Sequence, residues 1–508
     1  MISFVSIYFL IFIIITLLLY FIIPIKYRWL VLLISSICFY SYTGIEPLVF
    51  MLLAANFAYI TALNIENAYI SQHPDRKRAK IHLCIGIALT LFMLLYAKIG
   101  YSIADAVANI FSMKSIGFQE IIPLGISYYT FSIIGYMMDV YWKKENAERN
   151  FLKLLLFMVY FPHILQGPIP RHKKLAPQLI EGHRFNYKNL CYGLQRIVWG
   201  YFKKMVIADR LSILTSEVFG NYTSYEGLVL VIALICAAIE LYCDFSGCMD
   251  IALGISETMS IHLDENFQRP FFATSASEFW HRWHITLGTW FKDYIYMPIV
   301  INPNLAKLCQ KAKKTFGRRF AKSLMSIIPL ACVWILTGLW HNTGMNYIVW
   351  GIYWGTLIIV STVFAPEFKK LTKALRINTA SQWYHMFQMA RTCFLFLISR
   401  LITVPEDLKA TTEIIQRIFM KFNVWILFDE TLYDIGLNRK DFWIGFLAIL
   451  LLWRVSCMQE KGIKVRDKIA SYPLILRWII YYAGILAIIT FGIYGSGQVN
   501  NPFIYMRY

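Results

Sequence analysis

Residues 4–23 read FVSIYFLIFIIITLLLYFII, twenty consecutive positions without a charge. A helix needs about 20 apolar residues to cross the hydrocarbon core of a bilayer. The stretch has no basic start and no small-residue cleavage site, so it is expected to be a retained first span rather than a removable signal. Similar runs recur at 29–43, 47–65, 83–97, 121–141, 151–166, 190–208, 225–243, 324–341, 344–364, 384–403, 441–453 and 474–494. Several are short or carry polar residues, so roughly ten to twelve crossings are expected, with the rest re-entrant or interfacial. Composition agrees. Of 508 residues, 58% are apolar and only 16% charged, against roughly 25% charged in a soluble domain. The reading is one all-α polytopic membrane domain over 1–508, with no internal repeat and no separate soluble module.

The formal charge of +19 raises the question of nucleic acid. The cations, however, gather in short segments between apolar runs, where Lys and Arg set orientation. Residues 302–322, NPNLAKLCQKAKKTFGRRFAK, carry seven Lys/Arg and no Asp/Glu. Residues 76–80 (RKRAK) and 369–376 (KKLTKALR) are similar. These are expected to be cytoplasmic loops, and no folded basic domain is left over for nucleic acid. Counting back from RKRAK, residues 43–47 (TGIEP) fall outside and 24–28 (PIKYR) inside. The 454–468 segment, with five Lys/Arg against Glu460 and Asp467, also falls inside. The last span then delivers the tail ending PFIYMRY to the exterior. The ten cysteines form no CxxC pair and sit mostly within apolar runs, as small buried hydrophobes do.

Ionisable groups held at membrane depth are functional candidates. Three stretches concentrate them: 240–250 (ELYCDFSGCMD), 277–298 (SEFWHRWHITLGTWFKDYIYMP) and 336–346 (LTGLWHNTGMN). His341 ends an apolar run beside Trp340 and Asn342, with Gly338 and Gly344 permitting close backbone approach. It reads either as an interfacial hydrogen-bonding group or as a base, since a neutral imidazole there can take a proton from a hydroxyl near pH 7, which acyl transfer to an alcohol requires. His281 and His284 are three apart and would share a helix face, with Arg282 and Trp283 turned away. They read either as a metal pair completed by His341 or as one catalytic and one structural histidine. HRWH is not HExxH and no carboxylate stands at a fixed spacing, which favours the second reading and no metal.

The blocks ELYCDFSGCMDIALGI, ENFQRPFFATSASEFWHRWHITLGTWFKDYIYMPI and LTGLWHNTGMNYIVWGIYWG together resemble the membrane-bound O-acyltransferases. The likeness is to the bacterial branch that O-acetylates alginate and other polysaccharides. PLGISYYTFSIIGYMMDVY (123–141), FPHILQGPIPRHKKLAPQL (161–179) and GYFKKMVIADRL (200–211) extend it. The resemblance implies a helical ring around a tunnel, with His341 of the LWH block and His284 of the RWH block as catalytic residues. It implies an acetyl group moved from a cytoplasmic donor, acetyl-CoA, for O-acetylation of an extracytoplasmic polysaccharide in the cell envelope of a bacterium. The protein would then lie in the inner membrane.

On that reading Arg282 and Lys292 are counter-charges for the donor's phosphates, with positive-inside anchoring as the plainer alternative. Trp283, Trp340 and Asn342 line the donor path. Asp244, Asp250, Glu278 and Asp293 are expected to pair with cations. No serine-nucleophile hydrolase domain is present, so a separate extracytoplasmic acetyltransferase is the expected partner. Tyr505, in the tail, is either an interfacial anchor or an acyl carrier, as a like motif implies. Two other functions compete: D-alanyl transfer from a carrier protein to teichoic acid, and a transporter or flippase.

Overall fold

In the computed structural model, residues 4–71, 74–110, 123–164, 166–342, 344–421 and 423–494 are described; the side chains of 99 and 101–110 are not. Tyr505 and the rest of 495–508 lie outside this range. All regular elements among the described residues are helices, and their sole strand-like pairing is an isolated antiparallel bridge between Phe267 and Trp283. Eight helices are long and apolar enough to cross a membrane. They are Ile45–Ile70, the Arg76–Lys98 part of Arg76–Ile110, Leu228–Thr258, Pro303–His341, Met345–Val363, Gln382–Thr403, Arg439–Glu460 and Leu474–Phe491. The opening run forms a shorter helix, Ile7–Ile22. At 1.5 Å per residue its 16 residues reach about 24 Å, close to a hydrocarbon thickness.

Polar residues punctuate these helices. Ser6, Asn150, Ser275, Asn302, Ser381, Asp407 and Asn438 each accept a backbone N–H of the first turn that follows them. Leu474–Phe491 buries none of its residues, and Ile475, Leu486 and Ile489 stand exposed along it. Apolar helix surface of this extent is suited to lipid rather than water. The protein is a multi-pass membrane protein.

The chain separates into two compact units. The first comprises the described parts of Met1–Ile197 and Cys248–Asp264. Its core includes an aromatic nest in which Phe9 stacks on Phe4 with ring centroids 4.5 Å apart, and Phe161 meets Phe12 edge-on at 5.1 Å. Arg28 is buried there. It is held by carbonyls, donating to Ile23 at 3.0 Å, to Phe21 at 3.1 Å and to His183. Gly193 and Gly254 let two helix backbones meet, since a Cβ on Gly193 would lie 2.5 Å from the Gly254 carbonyl oxygen. Arg196 pairs with Asp250 at 2.9 Å, as expected of that carboxylate.

The second unit comprises Val198–Gly247 and the described part of Glu265–Tyr508. Its interior holds Lys204, 1% exposed, whose ammonium bonds Asp244 at 2.6 Å and Asp209 at 2.8 Å. Lys203 donates to Ser246 at 2.8 Å. Both lysines sit in a π-helical turn, Phe202–Ala208. An inserted turn of this kind rotates side chains relative to an α-helix and recurs at functional sites.

Four expected elements differ. Residues 302–322 are not a loop: they lie in the helix Pro303–His341, broken at Gly317, whose φ of 87° and ψ of 168° are open essentially to glycine alone. Leu305, Cys309 and Ala312 bury one face of that basic helix, so the apolar residues between the cations give it something to pack on. The run 151–166 is two pieces, Phe151–Val159 and Phe161–Ile164, because the chain turns at Tyr160 ahead of Pro162. Within 190–208 the α-helix stops at Tyr201 and gives way to the π turn. Within 121–141 the described helix is Ile126–Tyr141, preceded by Gly125 in the left-handed region, where a Cβ would collide with the Ile164 carbonyl oxygen at 1.9 Å.

Candidate active site

The site lies in the second unit and is built by the segment from Asn266 to Phe291. Ser275 caps the helix Ala276–Arg282, and Glu278 reaches back to the N–H and hydroxyl of Thr274 at 2.8 and 2.6 Å. This variant of the capping box ties down the first turn. The helix stops after seven residues because Trp283 turns extended and pairs with Phe267, with Gln268 N–H donating to the Arg282 carbonyl at 2.9 Å. His284 then takes the left-handed conformation, φ 48° and ψ 49°, before a second short helix, Ile285–Phe291. A positive φ at a non-glycine residue is uncommon and marks strain that its surroundings must hold.

This geometry corrects the shared-face expectation. His281 is exposed, its Nδ1 2.6 Å from the Ser277 carbonyl oxygen, and His284 is 2% exposed in the interior. The helix ends between them, so helical spacing does not apply. Trp283 is also turned inward, at 3% exposure. It stacks on Phe279 at 5.6 Å and packs against Phe396 at 5.3 Å.

Aromatic rings surround both histidines. Phe245 meets the His284 ring edge-on at 4.9 Å. Trp340 contacts both imidazoles, 6.3 Å from His284 and 4.6 Å from His341 between centroids. Trp350 meets His341 edge-on at 5.0 Å and Tyr347 stacks on it at 6.2 Å. Trp280 links this group to the interior through Trp350 at 5.6 Å, Trp334 at 5.0 Å and Trp354 at 5.2 Å. Such a wall lowers the local polarity and strengthens electrostatic interactions beside it.

His341 is the last residue of the helix Pro303–His341. Asn342 terminates that helix, its N–H bonded to the Gly338 carbonyl and its side-chain oxygen accepting the Gly344 N–H at 3.1 Å. Glycine at 338 is required by the next helix, Met345–Val363. A Cβ there would lie 2.6 Å from the Tyr347 carbonyl oxygen. The two helices therefore approach almost backbone to backbone beside the histidine.

His284 lies outside the spanning helices. Burial holds its pKa well below the ordinary imidazole value, and repulsion from His341 acts in the same direction. Burial therefore favours the neutral ring. Arg282 directs its guanidinium at carboxylates: a bidentate fork onto Glu460 at 3.0 Å and a bond to Glu278 at 2.8 Å. Glu460 also holds Arg269 at 2.6 Å. Lys292 is exposed on the π-helical turn Lys292–Tyr296. Among the described residues, no group of three or more His, Cys, Asp or Glu side chains is placed to hold a metal ion.

Two contributors have no motif of their own. Asn266 is quoted in the ENFQRPF block, but an isolated asparagine gives no signal that it faces His284. Glu460 lies 178 residues from Arg282, and only the fold brings them together.

Comparison with known proteins settles the family. Residues 143–311 match the membrane-bound O-acyltransferase family. The chain is 30% identical to a probable alginate O-acetylase, AlgI, of Pseudomonas syringae pv. tomato over 408 residues, 79% of this chain and 72% of the relative. It is 28% identical to a peptidoglycan O-acetyltransferase of Helicobacter pylori over 67% of this chain and 65% of the relative. A teichoic acid D-alanyltransferase of Bacillus subtilis is 28% identical over 54% of this chain and 68% of its own length. With likeness over most of its length and an all-helical membrane fold, the chain belongs to the membrane-bound O-acyltransferase family and is an acyltransferase.

Proposed function

We propose that this acyltransferase takes an acetyl group from acetyl-CoA on the cytoplasmic side and supplies it for O-acetylation of an extracytoplasmic polysaccharide. The packing of both His284 and His341 against Trp340, in a chain similar to alginate and peptidoglycan O-acetylases, carries the reading. His341 is the general base. As a hydroxyl oxygen attacks the thioester carbonyl, its proton passes to the His341 imidazole; the C–S bond breaks, and the proton leaves with the thiolate as the CoA thiol. His284, neutral and buried, orients the donor by accepting a hydrogen bond from one of its N–H or O–H groups. Lys292 and the basic helix beyond it attract the donor's phosphates. Arg282, held by Glu278 and Glu460, acts by fixing the segment that carries His284. Trp283 and Trp340 wall that path, and Asn342 fixes the end of the helix bearing His341.

The hydroxyl that attacks first is the phenol of Tyr505. A phenyl ester is a good acyl donor, and it passes the acetyl group onward to a serine of a membrane-anchored or secreted partner acetyltransferase, which finishes the transfer to the polymer. The membrane is the bacterial inner membrane. Mild-base release of ester groups from surface polymers, with and without this protein, tests the substrate. Acetate lost with the protein supports the proposal; D-alanine lost instead supports the teichoic acid reading, to which the Bacillus subtilis relative points.

A further inference from the structure

Asn266 holds three successive residues of the site. It is 1% exposed. Its backbone carbonyl accepts the Ile285 N–H at 3.0 Å. Its side-chain oxygen accepts the Thr286 N–H at 3.0 Å and the Thr286 hydroxyl at 2.9 Å, and stands 3.3 Å from His284 Nδ1. The orientation of a carboxamide is often ambiguous, but here a backbone N–H decides it. An N–H only donates, so the atom it faces is the oxygen and not the amide nitrogen. That oxygen only accepts, so the hydrogen between it and the imidazole is carried on Nδ1. Nε2 is then the lone-pair nitrogen of the neutral ring.

We propose that Asn266 is the positioning residue for His284, holding its left-handed backbone and fixing the Nδ1–H tautomer so that Nε2 is presented as the acceptor. The inference rests on the reading of His284 as part of the transfer site. It uses a relation found around metal-bound and catalytic histidines, where an outer partner on one ring nitrogen sets what the other can do. Among the groups facing His284 from neighbouring elements are Asn266, Phe245 on the helix Leu228–Thr258, and Trp340 and His341 at the end of Pro303–His341. Of these His341 alone is ionisable, and its repulsion favours the neutral ring.

The first test needs no turnover. Ring-15N NMR of labelled full-length protein, with the signal assigned by its loss in His284→Gln, reads the tautomer directly. The expected result is the Nδ1–H form in the wild type and its loss in Asn266→Ala. An Nε2–H form in the wild type overturns the proposal. The second test uses acetyl-CoA as donor. Asn266→Ala is expected to lower kcat about 10- to 100-fold with KM for the donor unchanged. Asn266→Asp keeps the oxygen and is expected to recover most of the rate. Its negative charge favours the imidazolium, so the acid limb of its kcat profile moves to higher pH. Loss in both variants that only tracks the amount of folded protein, with an unmoved acid limb, makes Asn266 a fold residue and overturns the proposal. His284→Ala run in parallel separates the two readings. A wild-type rate there removes His284 from the site. An inactive His284→Ala beside a fully active Asn266→Ala overturns only the role of Asn266.

Discussion

His284 and His341 differ in how they are held, and the difference has measurable consequences. His284 is locked in the interior by Asn266 and Phe245, whereas His341 ends a helix among three aromatic rings. Burial lowers the pKa of His284 in the folded state, while an unfolded histidine titrates near 6.5. Below about pH 6.5 the unfolded chain therefore binds the proton that the fold refuses, and stability falls as pH falls through that window. Thermal melts in detergent should lose stability from pH 7 to pH 5, with a shallower slope in His284→Gln; equal slopes would show that His284 titrates alike in both states. Lys204 gives a second prediction. Its ammonium is the cation shared by Asp244 and Asp209, and removing one side of a buried ion pair costs about 3–5 kcal/mol, so Lys204→Met should lower the melting temperature sharply. A melt matching the wild type would mean that the pair contributes nothing. LWH and RWH stand out in the sequence because histidines among tryptophans are rare in a greasy chain. Asn266 does not stand out, because its role depends on a pairing between residues 267 and 283 that no local pattern announces.

At the scale of elements, the break after Arg282 and the close contact at Gly338 place the two histidines. Gly338→Leu would drive a side chain into the Tyr347 carbonyl and force the helices apart. Overpacking of this kind costs about 1–3 kcal/mol. Both the melting temperature and the transfer rate should fall, since the helix that shifts carries His341. Unchanged values for both would show that the close approach is dispensable. The long apolar helices were legible because a 20-residue uncharged run has few other uses. The short helices around the site were not. Ala276–Arg282 ends where Trp283 pairs with Phe267, a tertiary event that overrides the helical spacing of His281 and His284. The charge of the basic segment 302–322 suggests a loop and masks its helix. Its buried positions, Leu305, Cys309 and Ala312, recur at helical intervals and carry the true signal.

For the whole molecule, membrane orientation sets the direction of the proposed transfer. The helix Pro303–His341 carries its cations before Gly317 and just after it, and its far end bears His341. A cysteine at Thr315 should react with an impermeant thiol reagent only after the inner face is opened; labelling of intact spheroplasts above the native-cysteine background would invert the topology. Tyr505→Phe keeps the ring and removes the oxygen, so polymer O-acetylation should cease, whereas normal O-acetylation would make the tail an anchor. The central claim is that this fold transfers an acetyl group through a histidine base, and labelled acetyl-CoA tests it directly. Wild type and His341→Ala are reconstituted in vesicles at matched folded amounts, and transfer of label to protein or acceptor is followed. The account predicts transfer by the wild type and a loss of about 100-fold or more in His341→Ala; equal transfer by the two proteins, or none from acetyl-CoA by the wild type, would contradict it.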